Sequence, residues 1–221
     1  MSDTLSAESL GTSVPSGTET VPGSTSAPSP QDAPLTFAQG FKFPFNRAVG
    51  LLNILWIFIP LLGAFAVAGY YMRIVRGFTE GQHQELPRFS FWSDCGYGFV
   101  MFFKVIPIMF LSILVTSLLG GLIMTAGLPE WAIAIPNLAV NLLVLPMLLM
   151  NFFRNGTVAS SFDFSTVKPV FENFGDYIIA LLKDICLAIV FILMIVVIVG
   201  IPALFFTKNI FIADFYRRRV A

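Results

Sequence analysis

Few side chains in this chain of 221 residues are equipped for chemistry. His83 is the one histidine, too isolated to build a zinc site. Cys95 and Cys186 lie far apart, so they form neither a CxxC metal or redox pair nor a disulfide framework. Asp94 and Asp163, with Arg76 and His83, are the groups that an enzyme acting on lipid at a membrane interface would use. No GxSxG, HExxH, P-loop or Rossmann glycine pattern accompanies them. No catalytic, cofactor-binding or metal residue is therefore expected, and Cys95, beside Asp94, reads as a packing thiol.

A second chemistry is transport. Ionisable groups inside a bilayer are expensive and mark ion or substrate paths. Lys104, Lys183 and Asp184 stand only at the edges of apolar runs, away from the midplane that a proton relay would need. A neutral polar path lined by Asn53, Asn137 and Asn141 is the alternative for a transporter or channel subunit. Asn137 and Asn141, spaced i, i+4, equally suit hydrogen bonding between helices. Gly63, Gly69, Gly120 and Gly121 suit close helix approach.

The elements that must position these groups follow from composition. The chain is 56% hydrophobic and only 12% charged, with a mean hydropathy of +0.81. Soluble domains carry about 25% charged residues. Such a chain cannot be wrapped in a water-facing surface, which points to the bilayer. The formal net charge of zero hides a division. Ser, Thr, Pro and Gly make up 22 of the first 36 residues, and four acids there face no base. That segment has too little apolar surface to offset its chain entropy and is expected to be a disordered tail. The remaining residues, 37–221, carry 13 bases and 9 acids. The start lacks a basic stretch followed by an apolar one, so no secretory signal peptide is expected.

Four uncharged runs, 48–72, 105–129, 131–153 and 185–207, are each long enough to cross the hydrocarbon core as a helix. Continuous runs exclude the alternating pattern of a spanning barrel. The expected fold is all-α, with about four transmembrane helices and two amphipathic interfacial elbows. Pro60 and Pro146 sit mid-run and are expected to kink their helices, and a re-entrant hairpin is the alternative for the first run. Long elbows, 73–104 and 154–184, flank a tight turn at Pro129 and Glu130. Each elbow has a Phe-x-Phe step (Phe89 and Phe91; Phe162 and Phe164) and ends near an aspartate placed to cap the next helix, Asp94 or Asp176. The halves read as duplicates or as convergent elbows. In the second elbow Val167, Val170, Phe171 and Phe174 make one apolar stripe, with Ser165 as cap, of an interfacial helix.

Four spans put both termini and the tight turn on one face and the elbows on the other. Arg217, Arg218 and Arg219 are the densest basic cluster, so both termini are expected in the cytoplasm of a multi-pass cell-membrane protein. The cluster suits anionic lipid headgroups or a plain topology anchor. Lipid, a protein partner or a second copy is the expected company, and nucleic acid is not.

Several segments carry a family resemblance. Gly69, Tyr70, Arg73, Arg76 and Gly77, then Glu85, Leu86, Pro87, Arg88 and Phe89, resemble the Gly-Tyr, Arg, Gly, Leu-Pro-x-Phe signature of domain of unknown function 4013, an uncharacterised prokaryotic membrane family. Gly98 to Pro107 resembles its second helix start, and Ser161 to Phe171 its second elbow. Gly175, Asp176 and Tyr177 precede its last helix, and Gly200, Ile201, Pro202 and Ile212 to Arg218 resemble its ending. The resemblance covers about residues 37–219. It implies a helical integral membrane protein of unassigned activity and brings no catalytic residues.

Overall fold

The computed structural model describes residues 33–82, 85–197 and 199–220. Among them every regular element is helical. Most of the expected tail, and His83, lie outside the described residues. The tail's end does not: Leu35 is buried, its N–H donating to Asp214 Oδ2 at 2.9 Å and its carbonyl accepting from Lys183 Nζ at 2.9 Å. Thr36 then caps α1 (Phe37–Asn46) in a reciprocal capping box with Gln39.

The first apolar run is not one helix. A 3-10 arm (Ala48–Phe58) descends and the chain reverses at residues 59–61; α2 (Leu62–Thr79) then returns alongside it. Pro60 cannot donate a helical hydrogen bond, and Leu61 takes a positive φ of 61°. The arms touch along their length. A Cβ on Gly63 would stand 1.7 Å from Trp56 O, and one on Gly50 3.1 Å from Tyr70 Oη. The 3-10 arm rises roughly 22 Å, at about 2 Å per residue. That is short of a core of about 30 Å. The fourfold count therefore becomes three helices long and apolar enough to cross a membrane: Phe91–Thr125, Trp131–Asn155 and Phe174–Val196.

The other runs also shift their limits, because charge does not stop a helix whose charges find partners. α3 (Phe91–Thr125) starts fourteen residues before its uncharged run, carrying Asp94 and Lys104. Lys104 Nζ donates to Gly156 O at 2.8 Å. α2 and α3 pack backbone to backbone: a Cβ on Gly69 would lie 2.0 Å from Asp94 O, and one on Gly98 2.0 Å from Phe65 O. The expected long elbows shrink accordingly, and the described residues between 80 and 90 of the first form no helix.

The segment Trp131–Asn155 contains α4 (Ala134–Ala139), a π turn (Val140–Val144) and α5 (Leu145–Asn155). Pro146 explains the turn. It has no N–H for Leu142 O, four residues back, and its ring crowds that carbonyl. The ladder widens by one residue, so Leu145 N–H donates to Val140 O, and the freed Leu142 carbonyl accepts from the Tyr177 hydroxyl. In the second elbow, Asp163 and not Ser165 is the cap, accepting from Ser165 N–H at 3.1 Å. The single interfacial helix expected there is broken up: Val167 ends a 3-10 turn, α6 (Lys168–Glu172) holds only Val170 and Phe171 of the stripe, and Phe174 opens α7, so Val167 and Val170 are buried while Phe171 and Phe174 are exposed.

The last run is a hairpin too. α7 (Phe174–Leu193) begins before the uncharged stretch and reaches Val196 through a 3-10 turn. α8 (Gly200–Thr207) comes back along it, Gly200 lying against Phe191 O. Asn209, with φ 66°, redirects the chain into α9 (Ile210–Arg219). α9 is the centre of the fold. Residues 210–216 are all buried, against α7, α2 and α5.

Candidate functional site

Placing α9 back along α7 gathers the charged groups. Arg219 Nη2 and Arg218 Nη1 meet Asp176, which opens α7, the latter at 3.9 Å. Asp214 is buried and takes Arg217 Nη2 at 2.8 Å and Arg218 Nε at 3.0 Å. Arg217 also lies against Gly81 of the first elbow. The C-terminal cluster therefore sits beside both elbows and not across the molecule from them, which corrects the four-span arrangement. Its cations are engaged within the fold.

The same region holds a polar relay. Tyr216 Oη donates to Asn151 Oδ1 at 2.7 Å, and Asn151 Nδ2 donates to Ser160 O at 2.9 Å, so α9, α5 and the second elbow are tied. Burial pushes the Tyr216 phenol pKa up, against a pull down from Arg154, so the phenol stays a donor. Asp184 accepts from the N–H groups of Phe211 and Ile212, at 3.4 and 3.3 Å, at the start of α9. Lys183 and Asp184, adjacent in sequence, therefore serve different neighbours.

On the other side of α2 the first elbow forms a strap. Three successive carbonyls are each held by a different side chain. Arg47 Nη1 donates to Leu86 O at 3.4 Å, Tyr70 Oη to Pro87 O at 3.0 Å, and Arg73 Nη2 to Arg88 O. Arg73 Nε also lies 3.1 Å from the buried Asp94. Asp94 Oδ2 accepts from Ser90 N–H at 2.8 Å, tying the N-cap backbone to the first turn of α3; the caps themselves are Ser90 and, for α7, Asn173, so neither Asp94 nor Asp176 is the cap expected of it. Burial pushes the Tyr70 phenol up to about 12, against a pull down from the nearby Asn53 and from the charges of Arg47 and Arg73. Trp56 packs against Phe89 and Phe91 behind the strap, with centroids at 6.0 and 4.7 Å. Under the strap is a cleft of about 440 Å³ lined by Arg47, Arg73, Arg88, Glu85, Phe43 and Ile74, among others.

The residues singled out for transport do not meet. Asn53 faces Tyr70, while Asn137 and Asn141 donate to carbonyls of their own helix, Ile133 O and Asn137 O. The candidate enzyme groups hold separate structural posts: Asp94 with Arg73, Asp163 capping a turn, and Arg76 on Glu80 at 2.7 Å. Cys95 is buried and Cys186 exposed. Sequence reasoning missed Asn151 and Tyr216 as a linked pair and Asp214 as the buried anchor of Arg217 and Arg218. It did single out the 69–89 segment as a signature, and that segment builds the strap.

The signature residues match a known family over residues 52–206. The chain belongs to the family described as protein of unknown function (DUF4013). The match takes in the strap, both elbows and the three long helices; residues 37–51 and 207–219 lie outside it. No curated protein and no solved structure matches the chain.

Proposed function

We propose that this DUF4013 protein is a non-enzymatic integral membrane component that packs against lipid or a partner and presents its charged end to the cytoplasm. One observation carries the reading. The three reversals, at residues 59–61, at 126–130 and after Val196, contain no Lys or Arg, while Leu35, α9 and both elbows, with their arginines, lie together. The excess of basic residues on the inner side of a membrane then assigns that shared end to the cytoplasm. The rest of the surface supports it: Phe110, Ile113, Leu118 and Leu122 of α3, and Ile189, Leu193 and Val196 at the far end of α7, are large, apolar and exposed. A soluble protein would bury such a surface.

The test is labelling in intact cells with an impermeant thiol reagent. Cys95 is buried, so the background comes from Cys186, which is first replaced by Ser. Cysteine at Gly17 and cysteine at Ser90 are both expected to be protected, and cysteine at Gly127 to be labelled. Labelling of Gly17 and Ser90 from opposite sides would restore the four-span topology. Release of the protein from membranes by alkaline carbonate would end the integral-membrane reading. Purification in mild detergent with identification of bound proteins and lipids then separates a partner-packed component from a lipid-packed one.

A further inference from the structure

We infer that the cleft under the 86–88 strap is a binding site for a phosphate group. Three arginines from three elements line it: the guanidiniums of Arg47, from the turn after α1, and of Arg73, from α2, reach strap carbonyls at its edge, and Arg88 is the exposed arginine of the strap itself. Two carboxylates stand near them: Asp94, already in contact with Arg73, and Glu85 on the cleft wall. Among the described residues neither Arg47 nor Arg88 has a carboxylate within ion-pair distance. Among the described residues Arg47 uses one donor, on Leu86 O, and the remaining N–H groups of its fork are open to a ligand.

The framework is rigid in the way a binding site needs. Arg47 and Arg73 are each fixed by a strap carbonyl, and Tyr70 fixes the carbonyl between them. Binding therefore costs less side-chain ordering than it would for loose surface arginines. Planar guanidinium forks match a tetrahedral phosphate bidentately, which a lone ammonium does not. Phe43, Ile74 and Leu86 give the cleft apolar walls, where a charge-assisted hydrogen bond is stronger than in open water. A volume of about 440 Å³ admits a phosphate together with its substituents. The aromatic cluster of Trp56, Phe89 and Phe91 adjoins the strap and suits the headgroup level of a bilayer. The phosphate can come from an anionic lipid headgroup or from a free phosphate in the water. The first source rests on the lipid-packing reading above; the second does not.

The experiment uses the full chain in a neutral detergent and reads its thermal midpoint. Dihexanoyl phosphatidylglycerol, dihexanoyl phosphatidylcholine and inorganic phosphate are titrated at constant ionic strength. A saturable rise with phosphatidylglycerol that exceeds the rise with phosphatidylcholine supports a headgroup site. A saturable rise with inorganic phosphate as well supports the site with an aqueous source. Arg88→Gln, whose exposed side chain leaves its own carbonyl for Arg73, is expected to weaken binding about tenfold, the worth of about 1.4 kcal/mol. Arg47→Gln is expected to do the same, and Lys42→Gln, outside the cleft, to change nothing. Absence of any saturable effect, or equal effects in Arg88→Gln and the parent, would overturn the site. Such a failure leaves the labelling and extraction results untouched, so the two readings fall separately.

Discussion

Replacing Tyr177 with phenylalanine tests the reading of the π turn. The substitution keeps the ring, and with it the edge contact to Phe215 at 5.2 Å, and deletes only the hydroxyl that donates to Leu142 O. That carbonyl has lost its ordinary helical donor four residues on, because position 146 is proline. Tyr177 is itself buried, so its hydroxyl cannot be replaced by bulk water. Leaving a buried acceptor unpaired costs about 1–3 kcal/mol. Hydrogen bonds between membrane helices average lower, at about 0.6 kcal/mol, with a ceiling near 1.7. The expected cost is therefore about 1–2 kcal/mol, which for a chain of this size lowers the thermal midpoint by roughly 2–8 °C. The partner substitution Pro146→Ala returns an N–H at the place where Leu142 O expects one. Tyr177→Phe should then cost much less in the Pro146→Ala background, a coupling of about 1 kcal/mol. Melting in mild detergent followed by near-ultraviolet circular dichroism reads all four proteins. If Tyr177→Phe costs the same with and without Pro146, the hydroxyl does not compensate for proline and the account is wrong.

Three further outcomes are expected. Gly98→Ala forces α2 and α3 apart, since its Cβ would lie 2.0 Å from a backbone oxygen; about 3 kcal/mol is lost, whereas Gly96→Ala, with nothing within 4 Å, is neutral or stabilises by up to about 1 kcal/mol, as paired melts will show. Asp94→Asn leaves Arg73 without its carboxylate; because Arg73 is about a third exposed, the buried-pair cost is discounted to about 1–3 kcal/mol, read by the same melts. Tyr70 holds its proton in the folded state up to about pH 12 but loses it near 10 when unfolded, so stability falls as pH rises through that window. Tyr70→Phe should flatten that alkaline loss, and an unchanged slope in melts from pH 9 to 12 would count against it.

Helix content was legible from the apolar runs because length alone separates a spanning helix from a strand. Their limits were not. A run is defined by the absence of charge, yet Asp94, Lys104, Lys183 and Asp184 all continue their helices, each finding a backbone or side-chain partner that only the tertiary fold supplies. The first run failed for the opposite reason. Nothing in its composition distinguishes a long helix from two arms, and the deciding signals are local: Pro60 beside a residue that accepts a positive φ, and glycines on both arms, Gly63 against Trp56 and Gly50 against Tyr70, that let the arms meet. Pro146, also mid-run, did not break its helix, because Tyr177 lies within reach of the carbonyl it frees. Proline alone therefore does not decide between a kink and a reversal; the presence of an outside donor does.

The same logic explains the arginine cluster. Arg217, Arg218 and Arg219 in isolation read as a surface patch for anionic lipid. Four residues earlier in the helix Asp214 faces the same side as Arg218, and α7 brings Asp176 opposite them, so the cluster ties the C-terminal helix to the start of α7. Arg47 and Arg88 are unremarkable in sequence, lying 41 residues apart and each alone. The hairpin at Pro60 returns the chain so that α2, its strap and the turn after α1 share one level, and this gives the two arginines a common cleft. The cluster that was dense in sequence is spent on structure, and the dispersed arginines are the ones left able to bind.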